Sequence, residues 1–348
     1  MKKIIALLLS VVIIFSLTSC SSMEPVEENT QPSVTDEVTT EPTTLTTTET
    51  TTKPQKTTFA SEILSIPDGY LQQRDNVKST ELYSYKHNGH DKHAAVYLPP
   101  DYDENKQYDI VYISAGARSD HTAFFDNPGD STSLKRIFDS MIISGEVKPF
   151  ICVNISFFPT DDHTLNDSNI NSLCDDFNEE LEDYILPGIE TKYSTYAKDG
   201  SEESLVKSRE HRAFIGFSMG ASLVFDSLSR NLKYFKYFGP ISGEGWEDDY
   251  PSYEAPVGIS VKKELEQNKL NKFDFFIYLG NGEGDTTYQS TKKLIDRLKT
   301  DYSDTFVFTD SDKSQGNITV KMMENISHKY VVAYRFFYNA ILAFFPTE

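Results

Sequence analysis

One serine of this chain has the surroundings of a catalytic nucleophile. Residues 216–220 read Gly-Phe-Ser-Met-Gly, which places Ser218 between two glycines. The residues before the motif become apolar toward it, and those after it repeat apolar side chains at helical spacing. This predicts a sharp turn from a buried strand into a helix. Such a turn exposes a hydroxyl, because the glycines let the strand and helix backbones approach closely.

A serine hydroxyl becomes a strong nucleophile only when an imidazole removes its proton and a carboxylate orients that imidazole. Asp285 and His328 follow Ser218 in the order nucleophile, acid, base, which is typical of the α/β-hydrolase fold. Glu283 lies in the same glycine-rich stretch as Asp285 and could serve chemically. Asp285 is preferred because it ends that stretch, and the remaining alternative is that both carboxylates are exposed surface charges.

The chain has seven histidines, of which His328 follows the last predicted strand. His211 leads into the strand before Ser218, and we expect it to cap or pack at the inner end of that strand. His121 and His163 fall in predicted loops, where they could contact substrate or solvent. Three histidines near the first strand lack a compact set of Asp or Cys partners and so do not favour a zinc site: His87, His90 and His93.

The elements that must position these residues alternate between short apolar runs and amphipathic stretches. This alternation predicts an α/β fold with a mainly parallel central sheet and helices on both faces. Functional groups of such a sheet gather at the carboxyl ends of its strands. The predicted strands are 94–98, 110–114, 150–155, 213–216, 237–240, 273–279 and 318–323, and the predicted helices are 133–143, 175–185, 221–230, 288–299 and 331–344.

Residues 1–20 carry a targeting pattern. Two lysines follow Met1, and residues 4–17 form an apolar stretch that is typical of a secretory signal and short for a bilayer span. Residues 17–20 read Leu-Thr-Ser-Cys and resemble the lipobox of bacterial lipoproteins. This resemblance implies lipidation of Cys20 and an extracellular protein anchored to the cell envelope. An ordinary secretory signal with an incidental cysteine is the alternative.

Residues 21–58 are rich in Thr, Pro and Glu and have almost no large apolar side chains, so they cannot offset the entropy of ordering. We predict a disordered linker there and one domain over residues 59–348. The formal net charge of −20 argues against nucleic acid and anionic membranes as partners, which leaves the lipid as the membrane contact. Cys152 and Cys174 are predicted to be buried free thiols.

The domain resembles the carbohydrate esterases of family one, which include feruloyl and acetylxylan esterases, and more broadly the esterase D-like α/β hydrolases. The resemblance runs through most of residues 80–345. By that resemblance Ser218 is the nucleophile, Asp285 the acid and His328 the base. It rests on Val-Tyr-Leu-Pro-Pro-Asp-Tyr-Asp at 96–103, Tyr-Ser-Thr-Tyr at 193–196, the run 210–220, Tyr-Phe-Lys-Tyr-Phe at 234–238 and Ser-Gly at 242–243.

The chain departs from this family in one loop. Relatives commonly carry a His-Gly-Gly-Gly-like run after the early strand, where a backbone N–H helps to bind the oxyanion, whereas residues 115–118 read Ala-Gly-Ala-Arg. Backbone donors do not depend on the side chain, so the N–H of Ala117 or Gly116 is expected to act beside that of Met219. A misplaced loop would give a slow enzyme, since losing one donor costs about 10²–10³ in turnover.

The resemblance implies a serine esterase that forms an acyl-enzyme on feruloyl or related esters of plant polysaccharide such as xylan, without metal or organic cofactor. An acetylxylan esterase or other short-chain carboxylesterase is an alternative, as is a peptidase or acyltransferase of the same fold. A carbohydrate-binding or scaffold protein with weakened catalysis is an alternative of another class. Several aromatic rings could hold the acyl group or a sugar, or could simply pack: Phe124, Phe125, Phe157, Phe158 and Trp246.

Overall fold

The fold is known from a computed structural model, which describes residues 56–72, 80–117, 119–125, 133–158, 176–243 and 257–347. Several predictions fall outside these residues. They concern the signal and lipidated Cys20, the linker up to residue 55, and the side chains of His163, Cys174 and Trp246.

A single sheet forms the centre of the described part of the chain. Its strands are β1 (Glu81–His87), β2 (His90–Tyr97), β3 (Asp109–Ser114), β4 (Phe150–Ile155), β5 (Arg212–Phe217), β6 (Tyr237–Ile241), β7 (Phe276–Gly282) and β8 (Ile318–Met323). They are ordered β1-β2-β4-β3-β5-β6-β7-β8. The first two pairings, β1 with β2 and β2 with β4, are antiparallel, and the others are parallel.

Helices cover both faces of this sheet. They are α1 (Ser133–Ile143), α2 (Leu186–Lys192), α3 (Glu202–Lys207), α4 (Met219–Arg230), α5 (Val257–Asn268), α6 (Tyr288–Thr300) and α7 (Tyr330–Phe344). Ile110 and Tyr112 of β3 belong to one hydrophobic cluster, and Val111 and Ile113 belong to another. Because side chains alternate along a strand, the clusters lie on opposite faces. The predicted α/β architecture is therefore confirmed.

The ends of β7 differ from the prediction of 273–279. Asn271 and Asp274 close a turn in which the Asp274 N–H donates to the Asn271 carbonyl at 2.9 Å, and Phe273 is left 46% exposed. At the other end the strand continues through Gly280 and Gly282, which the sequence analysis placed in a loop. A side-chain carbon at these positions would meet the Phe336 ring and the Ile326 carbonyl, respectively, so these glycines allow close packing.

Other elements match the prediction, extend it or were missed. The bounds of β4, β8 and α1 agree with the prediction. The predicted helix 175–185 instead continues through a π-helical turn, Leu181–Ile185, into α2. Helices α3 and α5 and the edge strand β1 were not predicted. The side chains of β1 are mostly exposed and therefore give a weak apolar pattern.

Three further observations bear on thiols, metals and membranes. Cys152 is a buried free thiol, as predicted, and burial raises its pKa well above the ordinary value. Among the described residues no group of three or more His, Cys, Asp or Glu side chains could hold a metal ion. In the same residues, every helix is too short or too polar to cross a bilayer.

Candidate active site

Ser218 lies at the turn between β5 and α4. Its backbone has φ 58° and ψ −121°, a strained conformation for a residue with a side chain. The Ser218 N–H donates to the Ile241 carbonyl of β6 at 3.0 Å, which ties the turn to the sheet. A β-carbon at Gly216 would lie 2.0 Å from the Gly220 carbonyl oxygen, so this strand–turn–helix crossing requires glycine. The predicted turn from strand to helix is confirmed.

Three side chains beyond the carboxyl ends of β5, β7 and β8 form one chain of hydrogen bonds. His328 Nε2 lies 2.8 Å from Ser218 Oγ, and His328 Nδ1 lies 2.9 Å and 3.0 Å from the two carboxylate oxygens of Asp285. Because Nδ1 faces a carboxylate, it donates a proton there, and in the neutral imidazole Nε2 accepts from the serine hydroxyl. Glu283 is exposed, so Asp285 is the carboxylate that contacts the imidazole.

The Asp285 carboxylate is buried, with 7% of the residue exposed. Burial raises its pKa, but hydrogen bonds from His328 and Thr287 outweigh that effect and hold the pKa below its ordinary value. Thr287 donates its main-chain N–H at 2.9 Å and its hydroxyl at 2.8 Å. The buried Asn281 side chain in turn donates to the Thr287 hydroxyl at 3.1 Å. Asp285 is therefore ionised at neutral pH and held in place.

Two aromatic rings pack next to the imidazole. The Phe217 ring stacks on the His328 ring with centroids 4.8 Å apart, and the Tyr330 ring packs on Phe217 at 4.9 Å. The His328 side chain is 29% exposed, so part of the imidazole remains accessible. The imidazole is thus oriented by a carboxylate and a stacked ring together.

The main-chain N–H groups of Met219 and Ala117 are the predicted oxyanion donors. Met219 is the first residue of α4, where N–H groups have no acceptor within the helix and the helix dipole is positive. Gly116 packs against the serine, because a β-carbon there would lie 3.0 Å from Ser218 Cβ and 3.3 Å from its Oγ. The Gly116 N–H donates to the Tyr330 hydroxyl at 3.1 Å, so Ala117 is the better candidate of the two loop donors.

Phe124 and Phe158 were considered for substrate contact or for packing, and the structure favours packing for both. Phe124 is completely buried and packs on the Phe337 and Tyr330 rings at 5.1 Å and 5.7 Å. Phe158 is 3% exposed and stacks on Phe157 at 4.4 Å. Removing these large apolar rings from water is strongly favourable, so each is used in packing and presents no open face to a ligand.

The other described histidines have different surroundings. His211 Nδ1 lies 2.6 Å from the Asp109 carboxylate at the amino end of the sheet, as its predicted packing there requires. His87 is buried 3.4 Å from Glu180, and His121 is buried in the loop after β3. Within the described residues, His328 is the histidine in contact with Ser218.

The sequence analysis missed three residues that support this site, namely Asn281, Thr287 and Tyr330. No sequence signal marked Asn281, because it lies between two glycines beyond the predicted end of the strand. A threonine two positions after a candidate carboxylate is a common turn partner, which was a signal for Thr287. No sequence pattern indicated that the Tyr330 hydroxyl reaches the loop after β3.

Comparison with known proteins shows the family to which the chain belongs. A family model named Esterase, with the description "Putative esterase", matches residues 86–320. The chain belongs to this esterase family. This esterase is 29% identical over 283 residues to endo-1,4-beta-xylanase Y of Acetivibrio thermocellus, a match that covers 80% of this chain and 24% of that protein.

A second relative is the endo-1,4-beta-xylanase/feruloyl esterase of Xylanibacter ruminicola. It is 24% identical over 241 residues, which cover 67% of this esterase and 28% of the relative. The esterase therefore spans about a quarter of the length of these curated relatives.

Solved feruloyl esterases have the same fold. A serine-to-alanine mutant of the feruloyl esterase module from Clostridium thermocellum, complexed with sinapinate, matches with a TM-score of 0.71 and 27% identity, covering 84% of this esterase and 96% of that chain. The CE1 ferulic acid esterase of the anaerobic fungus Anaeromyces mucronatus matches with a TM-score of 0.61 over 82% of this esterase and 97% of that chain; at 19% identity it shows the fold alone. The predicted α/β-hydrolase fold and the resemblance to family-one carbohydrate esterases are confirmed. Together the family and these structures support a carboxylic ester hydrolase.

Proposed function

We propose that this esterase hydrolyses hydroxycinnamoyl esters, feruloyl esters in particular, on plant cell-wall polysaccharide such as xylan. The observation that carries the proposal is the hydrogen-bond chain from Ser218 through His328 to Asp285 in a chain of the esterase family. Similarity to a feruloyl esterase module that holds sinapinate supports the acyl group. Two relatives named as xylanases support the polysaccharide.

In the first half-reaction the Ser218 hydroxyl oxygen attacks the ester carbonyl carbon while its proton moves to His328 Nε2. Asp285 stabilises the imidazolium that forms, and the N–H groups of Met219 and Ala117 stabilise the oxyanion. When the tetrahedral intermediate collapses, the bond between the acyl carbon and the sugar oxygen breaks. His328 gives its proton to that oxygen, so a free sugar hydroxyl leaves and the acyl group stays on the serine.

In the second half-reaction water takes the place of the sugar. His328 accepts a proton from the water as its oxygen attacks the acyl carbon, which forms a second oxyanion at the same donors. The bond to Ser218 then breaks, and His328 returns the proton to the serine oxygen. The carboxylic acid is released, and the site regains its starting protonation.

A substrate panel tests this proposal on the full chain. We expect faster product release from methyl ferulate and methyl sinapate than from acetylated xylan. We expect Ser218→Ala to lower kcat by about 10⁶, as loss of a serine nucleophile does elsewhere. Ser229→Ala is the matched control, because this serine of α4 bonds its hydroxyl to the Phe225 carbonyl and lies at the other end of the helix.

Each other outcome has a defined meaning. Release of acetate without release of ferulate would contradict the hydroxycinnamoyl assignment and favour an acetylxylan esterase. Turnover of none of the esters, or turnover that survives Ser218→Ala, would contradict the serine mechanism. The first of these results would favour a binding or scaffold protein on the hydrolase fold.

We also propose that the chain is tethered outside the cell through a lipid on Cys20. The apolar stretch 4–17 and the Leu-Thr-Ser-Cys sequence at 17–20 support this proposal, and the Thr-, Pro- and Glu-rich linker would act as a spacer. Cells that express the full chain should incorporate labelled palmitate into it, and Cys20→Ser should abolish the label. Cys152→Ser is the control, and an unlabelled wild-type chain would contradict the tether.

A further inference from the structure

Tyr330 links the loop after β3 to the segment that contains His328. It is the first residue of α7 and follows His328 by two positions. Its hydroxyl accepts the Gly116 N–H at 3.1 Å and lies 2.7 Å from the Ser119 hydroxyl. One phenol therefore contacts two residues of the loop, one on either side of Ala117.

The Tyr330 ring is held in place by contacts with two phenylalanine rings. It packs on Phe217 with centroids 4.9 Å apart and meets the edge of Phe124 at 5.7 Å. Phe217 stacks in turn on His328 at 4.8 Å. Because aromatic contacts of this kind limit ring movement, the hydroxyl has a defined position relative to the imidazole.

Gly116 lies close to both this hydroxyl and Ser218. A β-carbon at position 116 would lie 3.3 Å from the Tyr330 hydroxyl oxygen and 3.3 Å from Ser218 Oγ. The same carbon would lie 3.0 Å from Ser218 Cβ. The loop backbone at Gly116 thus lies close to both the serine and the tyrosine.

We propose that Tyr330 is the positioning residue of the oxyanion loop, an inference that rests on the proposed function. Its hydroxyl engages the Gly116 N–H and the Ser119 side chain, and it thereby holds the intervening Ala117 N–H close to Ser218 for the oxyanion. Preorganised donors stabilise the charge that develops in the transition state, because they need no reorientation during the reaction. Tyr330 acts through the loop and does not touch the reacting atoms.

Tyr330→Phe in the full chain tests the inference, because it removes the hydroxyl and keeps the ring. We expect kcat for methyl ferulate to fall by about 10-fold to 100-fold, less than the loss of a donor itself. KM should stay within twofold, since the loop N–H stabilises the transition state more than the ground state. Tyr334→Phe is the matched control, because its ring packs edge-to-face with the same Phe124 ring, with centroids 6.4 Å apart, one turn further along α7.

A second measurement separates positioning from a general loss of structure. A boronic acid that forms a tetrahedral adduct on Ser218 should bind Tyr330→Phe more weakly by the same factor as the fall in kcat. Binding of free ferulate should stay within twofold of the wild-type value. Equal weakening of both ligands would overturn the inference and indicate a merely structural role.

Ser119→Ala keeps the inference testable even if Tyr330→Phe folds poorly. Because Ser119 acts through the Tyr330 hydroxyl, the single variant should lose about twofold to tenfold in kcat. In the Tyr330→Phe background it should cause no further loss, which a double-mutant cycle detects. An unchanged kcat in Ser119→Ala, or equal losses in both backgrounds, would overturn the inference.

The proposed function and this inference can fail separately. An active wild-type chain whose Tyr330→Phe variant keeps kcat within twofold overturns the positioning role and leaves the esterase proposal standing. A wild-type chain that hydrolyses none of the esters overturns both.

Discussion

The two ends of strand β5 carry polar groups of opposite character. At its amino end Arg212 is completely buried and bonds Glu190 through two nitrogens, at 2.5 Å and 2.7 Å. At its carboxyl end Ser218 is partly exposed, has a φ of 58° and bonds His328 at 2.8 Å. Residues six positions apart thus have different surroundings. Arg212 is buried and fully hydrogen-bonded, whereas Ser218 has a strained backbone and is accessible to solvent.

The buried pair has a full set of partners. Besides Arg212, the Glu190 carboxylate accepts from the Tyr112 and Thr195 hydroxyls, each at 3.0 Å. Burial lowers the Arg212 pKa, but the neighbouring carboxylate outweighs this, and the pKa lies above its ordinary value. A buried ion pair whose groups are all bonded fixes the chain locally, and this pair lies at the end of the sheet opposite Ser218.

The strained turn at Ser218 depends on the rigidity of the rest of β5. A strained residue such as Ser218 persists only when its surroundings hold it in place, and β5 supplies a fully paired strand with a buried anchor. The N–H groups near Ser218 can then remain available to a ligand. We expect substitutions at the carboxyl end to change turnover and substitutions at the amino end to change stability.

Asp285→Asn should have the largest effect at the carboxyl end. We expect kcat to fall by about 10⁴, because asparagine favours the wrong imidazole tautomer and cannot stabilise the imidazolium. The free energy of unfolding should change by about 1 kcal/mol or less, since asparagine keeps the shape and can still accept from Thr287. Ester hydrolysis and urea unfolding measure the two effects. Glu283→Gln, at an exposed position of the same loop, should keep kcat within about twofold.

Glu190→Gln should have the largest effect at the amino end. It leaves the buried Arg212 charge without its partner, and we expect a loss of about 3–5 kcal/mol in the free energy of unfolding. The kcat of the folded fraction should stay near wild type. Glu203→Gln is the control, because the side chains of the Glu203–Lys207 pair are 78% and 74% exposed, so solvent screens their attraction and the variant should unfold at nearly the wild-type urea concentration. A fall in kcat comparable to that of Asp285→Asn would contradict a purely stabilising role for the buried pair.

The two ends also differ in how far the sequence predicted them. Ser218, Asp285 and His328 were predictable because glycine punctuation and strand ends mark them in the chain. Glu190 and Arg212 were not singled out, because a charged residue is usually exposed and its burial depends on a partner from another element.

Within the site, the errors follow from tertiary packing. Phe124 was considered for substrate contact, yet its ring fills the core, and sequence alone does not distinguish an apolar ring in the core from one at the rim. Gly280 and Gly282 indicated a loop but lie within β7, where neighbouring groups leave no room for a side chain. Tyr330 was missed because its partner Gly116 is more than two hundred positions away in sequence.

Thr287→Val should give the smallest effect, since it alters the support of Asp285 and leaves Ser218, Asp285 and His328 in place. The variant loses the hydroxyl bond of 2.8 Å and keeps the N–H bond of 2.9 Å. We expect the Asp285 pKa to rise toward its ordinary value and kcat to fall a few-fold. The free energy of unfolding at neutral pH should fall by about 1 kcal/mol. Thr300→Val is the control, because it removes a similar bond of 2.8 Å to the exposed Asp301.

The pH dependence of this loss follows from the sign of the Asp285 shift. Because the folded-state pKa lies below the unfolded value, the carboxylate contributes stability that is complete above the unfolded pKa, about 4, and disappears as the pH falls through the folded pKa. The stability difference between wild type and Thr287→Val should therefore be largest above that pH and shrink in more acidic solution. Urea unfolding across this range measures it. A difference that is constant with pH would mean that Thr287 stabilises the fold through packing alone. The charge of Asp285 would then contribute nothing to the effect of the substitution.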